Sequence, residues 1–163
     1  MSDDYAVING KRIELTDEQV KALRVETRKN PFERVATGDE YYTITGYDNT
    51  VEFTEDGDAA DQNLYDAGNY FNDESFAKQV ALRQLLYRKL LKFAYDNGFE
   101  DVEWNGSNDH LCIYYNPDNF KYCVAGFGSH KFDCVWFSSE DAAKRAIEEV
   151  VEPFVKEHPE FVW

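Results

Sequence analysis

Eleven carboxylates fall between Asp39 and Glu74: Asp39, Glu40, Asp48, Glu52, Glu55, Asp56, Asp58, Asp61, Asp66, Asp73 and Glu74. Paired carboxylates do acid/base work when burial raises the pKa of one of them. They cleave glycosides when held about 5–10 Å apart in an aromatic cleft. Tyr41, Tyr42, Tyr47, Phe53, Tyr65, Tyr70 and Phe71 run through the same stretch and supply aromatic walls. No spacing singles out one pair, so a carboxylate-based hydrolase is permitted and not specified. Asp56-Gly57-Asp58-Ala59-Ala60-Asp61 opens like a calcium loop. Such a loop needs an oxygen ligand at its fifth position, Gly at the sixth and Glu at the twelfth. Here those positions are Ala60, Asp61 and Ala67, so no metal site is expected.

Cys112, Cys123 and Cys134 are the other reactive candidates. A turn over Asn116–Asn119 would set Tyr115 facing Phe120 and Cys112 opposite Cys123, with Cys134 on the next strand. With His110 or His130 nearby, that suggests a Cys₃His zinc site. Structural zinc sites use short C-x₂₋₄-C knuckles, which are absent, so the thiols read better as small core residues packed against a helix. The P-loop, dinucleotide and zinc-protease motifs are all missing. Gly126-Phe127-Gly128-Ser129-His130 joins two expected strands and does not open a helix, so it reads as a hairpin turn. No catalytic residue and no cofactor is expected.

Charge says more. The formal net charge is −15, and no Lys, Arg or His occurs from Val35 through Ala77. An acidic surface repels nucleic acid and anionic membrane and attracts basic protein surfaces. Because aromatics anchor it, the stretch is not a disordered acidic tail. No apolar run approaches the length of a membrane span. Met1-Ser2-Asp3-Asp4-Tyr5 lacks the features of an export signal, and three cysteines suit a reducing cytoplasm.

Several elements must position these groups. Tyr5–Ile8, Asn9-Gly10 and Lys11–Leu15 read as a hairpin, followed by a helix capped at Thr16 and stopped at Asn30-Pro31. Beyond it lie two similar units. Tyr70-Phe71-Asn72-Asp73-Glu74 aligns with Trp136-Phe137-Ser138-Ser139-Glu140, and Tyr42-Thr43-Ile44 with Leu111-Cys112-Ile113. Each unit reads as strand, turn, strand, loop, strand, helix. The helices are expected over Asp73–Asn97, with Gly98 ending it, and over Ser139–Lys156, with Pro153 kinking or shortening the second. Between them, Val102–Trp104 reads as a short strand. The expectation is an α+β fold: an antiparallel sheet from two strand-strand-strand-helix units, helices on one face, plus the N-terminal hairpin and helix. The expected divisions are 1–31, 32–98 and 99–163, with 32–163 as one compact domain.

Ile8–Thr16, Asn30–Val35, Gly38–Ile44 and Gly68–Phe71 together resemble small acidic accessory proteins of phages and prophages of Gram-positive bacteria. Some of these are anti-CRISPR or anti-restriction inhibitors, and several are DNA mimics. The resemblance implies a non-enzymatic inhibitor that occupies a basic nucleic-acid-binding surface of a host defence nuclease. Asp39, Glu40, Asp48, Glu52, Glu55, Asp56, Asp58, Asp61 and Asp66 would supply the charge, and Tyr41, Tyr42 and Tyr47 core anchoring or contact area. The alternative is an acidic interaction or scaffold module of phage origin that does not imitate DNA.

Overall fold

Alternation over Glu40–Thr45 puts Tyr41 and Thr43 on one side and Tyr42 and Ile44 on the other, which is the period of a strand. A computed structural model of the chain describes residues 5–8, 11–14, 16, 30–106, 110–128 and 134–162, the first two ranges by backbone alone. Strands β1 (Tyr5–Ile8) and β2 (Lys11–Glu14) pair antiparallel with Ile8 opposite Lys11, the register of a two-residue turn. The helix expected after Thr16 lies outside the described residues. Strands β3 (Glu40–Thr45) and β4 (Asn49–Thr54) form a second hairpin, in which Thr45 faces Asn49. Helix α1 follows at Ala59–Asp66 and helix α2 at Glu74–Asp96. Strands β5 (His110–Asn116) and β6 (Lys121–Phe127) form a third hairpin. Helix α3 (Glu140–Ala146) runs through a π-helical turn, Ile147–Val151, into helix α4 (Glu152–Glu157).

The class is α+β, but the strands do not join one sheet. Among the described residues there are three separate two-stranded sheets. The expected third strand of each unit is reduced to one bridge, Tyr42 with Phe71 and Leu111 with Phe137. Helix caps explain the shortening. Asp73 accepts from the Phe76 N–H and Ser139 from the Ala142 N–H, so a helix cap falls two residues past each bridge and the helix starts at the next residue. The loop expected between Thr54 and Tyr70 holds α1 instead. Asp58 caps it and Asp61 returns the favour to the cap's backbone, closing a capping box. Val102–Trp104 is irregular and not a strand.

Both long-range helix ends are glycine-terminated. Gly68 (φ +67°) and Gly98 (φ +76°) sit just past α1 and α2, where the left-handed backbone lets Asn69 N–H reach Leu64 O and Phe99 N–H reach Ala94 O. Pro153 does not end the last helix. It lacks an N–H and crowds the carbonyl four residues back, and the π turn just before it, with Glu152 N–H bonded to Ile147 O, absorbs the mismatch.

The core gathers Leu82, Leu86, Leu90 and Ala94 from α2 with Val135, Phe137, Ala143, Ala146, Val151 and Phe154. Leu111, Ile113, Tyr122 and Val124 pack on it from one face of the third hairpin. The helix that closes the first expected unit is thus shared with the second. Across residue 31, Asn72 Nδ2 donates to Asn30 O and Asn72 N–H to Pro31 O.

Leu86→Ala should destabilise the fold by about 2–5 kcal/mol through lost burial and a residual cavity. Asp73→Ala should cost about 1 kcal/mol through its cap. Urea denaturation measures both. Equal losses from the two variants would contradict this placement of the core.

Candidate functional site

Arg34 is the last base before the acidic stretch, and it is spent inside the molecule. Its Nε and Nη2 grip Glu55 Oε2 and Oε1, both at 2.9 Å, and its Nη1 donates to Gln62 Oε1 at 2.6 Å. Glu55 ends the β4 hairpin with 2 % of its surface exposed. It also accepts from Tyr70 Oη at 2.8 Å and from the Gly57 N–H at 2.9 Å. A second buried carboxylate lies alongside. Asp61 Oδ1 accepts from Tyr41 Oη at 2.6 Å, and Oδ2 accepts from the N–H groups of Asp56, Gly57 and Asp58. The Tyr41 and Tyr70 rings stack at 4.0 Å and join the two clusters.

Electrostatics fixes the protonation states. The Arg34 guanidinium holds the Glu55 carboxyl below its usual range, against the opposing effect of burial, with help from Tyr70 and Gly57. The Tyr41 hydroxyl does the same for Asp61, again against burial, with the backbone donors adding to it. Burial first, then the hydrogen bond to Glu55, pushes Tyr70 up to about 12. Tyr41 is raised further, by burial and then by Asp61. Both carboxylates are therefore ionised acceptors and both phenols protonated donors around neutrality. This arrangement holds protons in place and is not poised to transfer them.

The expected contact residues separate accordingly. Glu55, Asp61 and Tyr41 are buried and cannot form a binding surface. Asp58 is exposed but occupied as the α1 cap. Asp39, Glu40, Glu52, Asp56 and Asp66 are exposed, and Asp48 and Tyr42 are half-buried. Tyr47, at the tip of the second hairpin, is 77 % exposed. Burial first, then the Glu52, Glu74 and Glu40 carboxylates, raise the Tyr42 phenol, so three acids converge on that face. Among the described residues, only Glu55 and Glu74 of the stretch form ion pairs, with Arg34 and Lys78.

The bases of α2 are exposed, and several of them clasp neighbouring groups. Arg88 donates to Tyr47 O, Arg83 to Val162 O, and Lys92 pairs with Asp96. A cleft of about 290 Å³ lies between α2, β5 and the C-terminal tail, lined by Leu86, Leu90, Ile113, Val135 and Phe161, with Arg83 at its rim. It holds no carboxylate.

The thiols depart from their expected register. Asn116 pairs with Lys121 around the turn Pro117–Phe120, one residue later than expected. Asn116 Oδ1 accepts from the Asp118 N–H, and Phe120 takes a positive φ of 55°. Cys112 consequently faces Ala125, and Cys123 faces Tyr114. Cys112 does not pack with the helix-facing residues Leu111 and Ile113; it lies on the opposite face with His110. Burial, then the neighbouring Cys134, pushes its thiol up to about 12. His110 is 3 % exposed and stacks on Trp104 at 3.5 Å, with Trp136 edge-on to Trp104. That ring cluster had no signal beyond the scattered tryptophans. The Glu55–Arg34 pair had one: the last base ahead of a stretch with none. Among the described residues, no three His, Cys, Asp or Glu side chains group as metal donors would, and no helix is long and apolar enough to cross a membrane.

The buried network makes stability pH-dependent at both ends. Glu55 and Asp61 have folded pKa values below their unfolded ones, so their contribution is full above about pH 5 and lost as pH falls through the folded values. Tyr41 and Tyr70 have raised values, so theirs is full below about pH 10 and lost as pH rises through the folded values. Urea midpoints against pH should fall on both sides. Tyr70→Phe should destabilise by about 1–3 kcal/mol at pH 7 and flatten the alkaline arm. An unchanged alkaline arm in Tyr41→Phe/Tyr70→Phe would refute the assignment.

In comparisons with known proteins, no family model, no curated protein and no solved structure matches the chain.

Proposed function

We propose that this protein is a non-enzymatic inhibitor whose acidic surface occupies a basic nucleic-acid-binding surface of a bacterial host protein, a defence nuclease of the anti-CRISPR or anti-restriction target type, as a DNA mimic in the cytoplasm. One observation carries the reading. Asp39, Glu40, Glu52, Asp56 and Asp66 are exposed without an ion pair among the described residues, on a scaffold whose internal charges are already satisfied. Duplex DNA presents about one negative charge per 1.7 Å of axis. Carboxylates on β3, β4, α1 and the adjoining loops would meet a basic channel with negative charge in place of phosphates. Association would be fast and salt-sensitive, because release of counterions contributes much of the affinity.

The phage resemblance and the pair of similar units belong to the same reading. Phe71 and Phe137 make corresponding bridges, and Asp73 and Ser139 are corresponding helix caps, which supports two copies of one strand-strand-helix unit. A second reading, a protein-binding module that does not imitate DNA, draws on the exposed Tyr47, Val51 and Phe53. Aromatic anchors in an interface centre give affinity that depends little on salt.

Glu40→Lys/Glu52→Lys/Asp56→Lys/Asp66→Lys should abolish capture of a basic nuclease from bacterial lysate while leaving the thermal unfolding transition in place. Wild-type capture should be lost at about 0.5 M salt and competed by duplex DNA. Capture that survives charge reversal would sink the mimicry reading. Capture lost instead with Tyr47→Ala/Phe53→Ala would favour the second one.

A further inference from the structure

Among the described residues, the second hairpin has one covered edge and one open edge. Tyr42 N–H donates to Phe71 O at 2.8 Å, and Phe71 N–H returns to Tyr42 O at 2.9 Å. Tyr42 therefore directs its main chain away from β4, and the Tyr42–Glu52 pair is a non-hydrogen-bonded one. By strict alternation, the main-chain groups of Thr43 and Tyr41 point at Val51 and Phe53. Those of Thr50, Glu52 and Thr54 point outward from β4. Among the described residues no other strand meets that edge. Val51, Glu52, Phe53 and Thr54 are all exposed.

An unpaired edge with exposed side chains is a template for strand addition, and natural proteins blunt such edges with Lys, Pro or bulges. β4 (Asn49–Thr54) has none of these. Its two faces also differ. Val51 and Phe53 lie on one, 39 % and 45 % exposed. Glu52 lies on the other, beside Glu40 and Glu74 around the Tyr42 ring. A second copy of this chain would bring Glu52 and its acidic neighbours against their own kind, which disfavours self-pairing.

We propose that β4 is a docking edge for an extended basic segment of the partner, which adds as an outer strand with basic side chains alternating with apolar ones. The basic residues meet Glu40 and Glu52, while Glu74 is paired with Lys78, and the apolar ones cover Val51 and Phe53. The main-chain groups of Thr50, Glu52 and Thr54 hold the segment by strand addition. This rests on the reading that the partner is basic, and it specifies how the partner is held.

The test uses the full chain and three synthetic peptides: one of alternating lysine and valine, one of the same composition with the lysines and valines in two blocks, and the alternating one N-methylated at every second amide. N-methylation keeps charge and side chains and removes strand donors. The alternating peptide should bind and slow amide exchange at Glu52 and Thr54. The N-methylated peptide should bind about tenfold more weakly or worse, because several interchain hydrogen bonds are lost. Glu52→Pro, which removes an outward N–H and no ladder bond, should weaken the alternating peptide more than Glu52→Gln does. Equal binding of all three peptides would overturn strand addition and leave the acidic-surface reading standing. Failure of every peptide would overturn both. Dimerisation of the chain through β4, seen by sedimentation with protection of the same amides, would overturn the basic partner as occupant.

Discussion

The ion pair between Arg34 and Glu55 is the constraint around which the acidic half is assembled. A buried carboxylate without its partner is a charge in a poor solvent, and removing one member of such a pair leaves the other uncompensated. Glu55 therefore needs Arg34 from the leader loop, Tyr70 from the segment ahead of α2, and the Gly57 N–H from its own turn. These groups come from separate parts of the chain. Forming the pair fixes the end of β4, the start of α1 and the approach to α2 together. The stacked Tyr41 and Tyr70 rings carry the constraint across to Asp61, which in turn closes the capping box of α1.

The same residue type thus serves two ends in one stretch of sequence. Inward carboxylates collect hydrogen bonds until their ionised state is satisfied. Outward ones keep water on one side and remain available to a partner. The division costs little repulsion because the inner pair of acids faces a guanidinium, two phenols and backbone N–H groups instead of each other. It leaves the surface of the second hairpin with a fixed shape and an uncompensated sign.

Helix α2 joins this acidic half to the rest. Its leucines and small alanines fill the shared core, where Ala143 and Ala146 of α3 allow close approach. Its polar side reaches out to loops. Arg88 holds the carbonyl of Tyr47 at the hairpin tip, while Gln79 and Arg83 hold the C-terminal tail at Glu160 and Val162. Several bases of this exposed side thus serve as clasps between α2 and the loops as well as carrying charge.

Local chemistry was legible in the sequence wherever neighbours along the chain decide it. The Asn9-Gly10 pattern predicts a two-residue register, and Ile8 faces Lys11; Asp73 and Gly98 bounded α2, and leucine spacing marked its core face. The pattern Asp58-x-x-Asp61 carried the capping box of α1 as well. Tertiary structure alone decided the rest. Nothing in the spacing of eleven acids shows that Glu55 and Asp61 turn inward, because that depends on Arg34 and two tyrosines arriving from elsewhere. The two-residue slip between Cys112 and its expected partner arose from a turn whose last residue, Phe120, adopts a conformation a sequence pattern does not advertise. The strands stayed in separate pairs because a helix cap falls two residues past each bridge, leaving no length for a third strand.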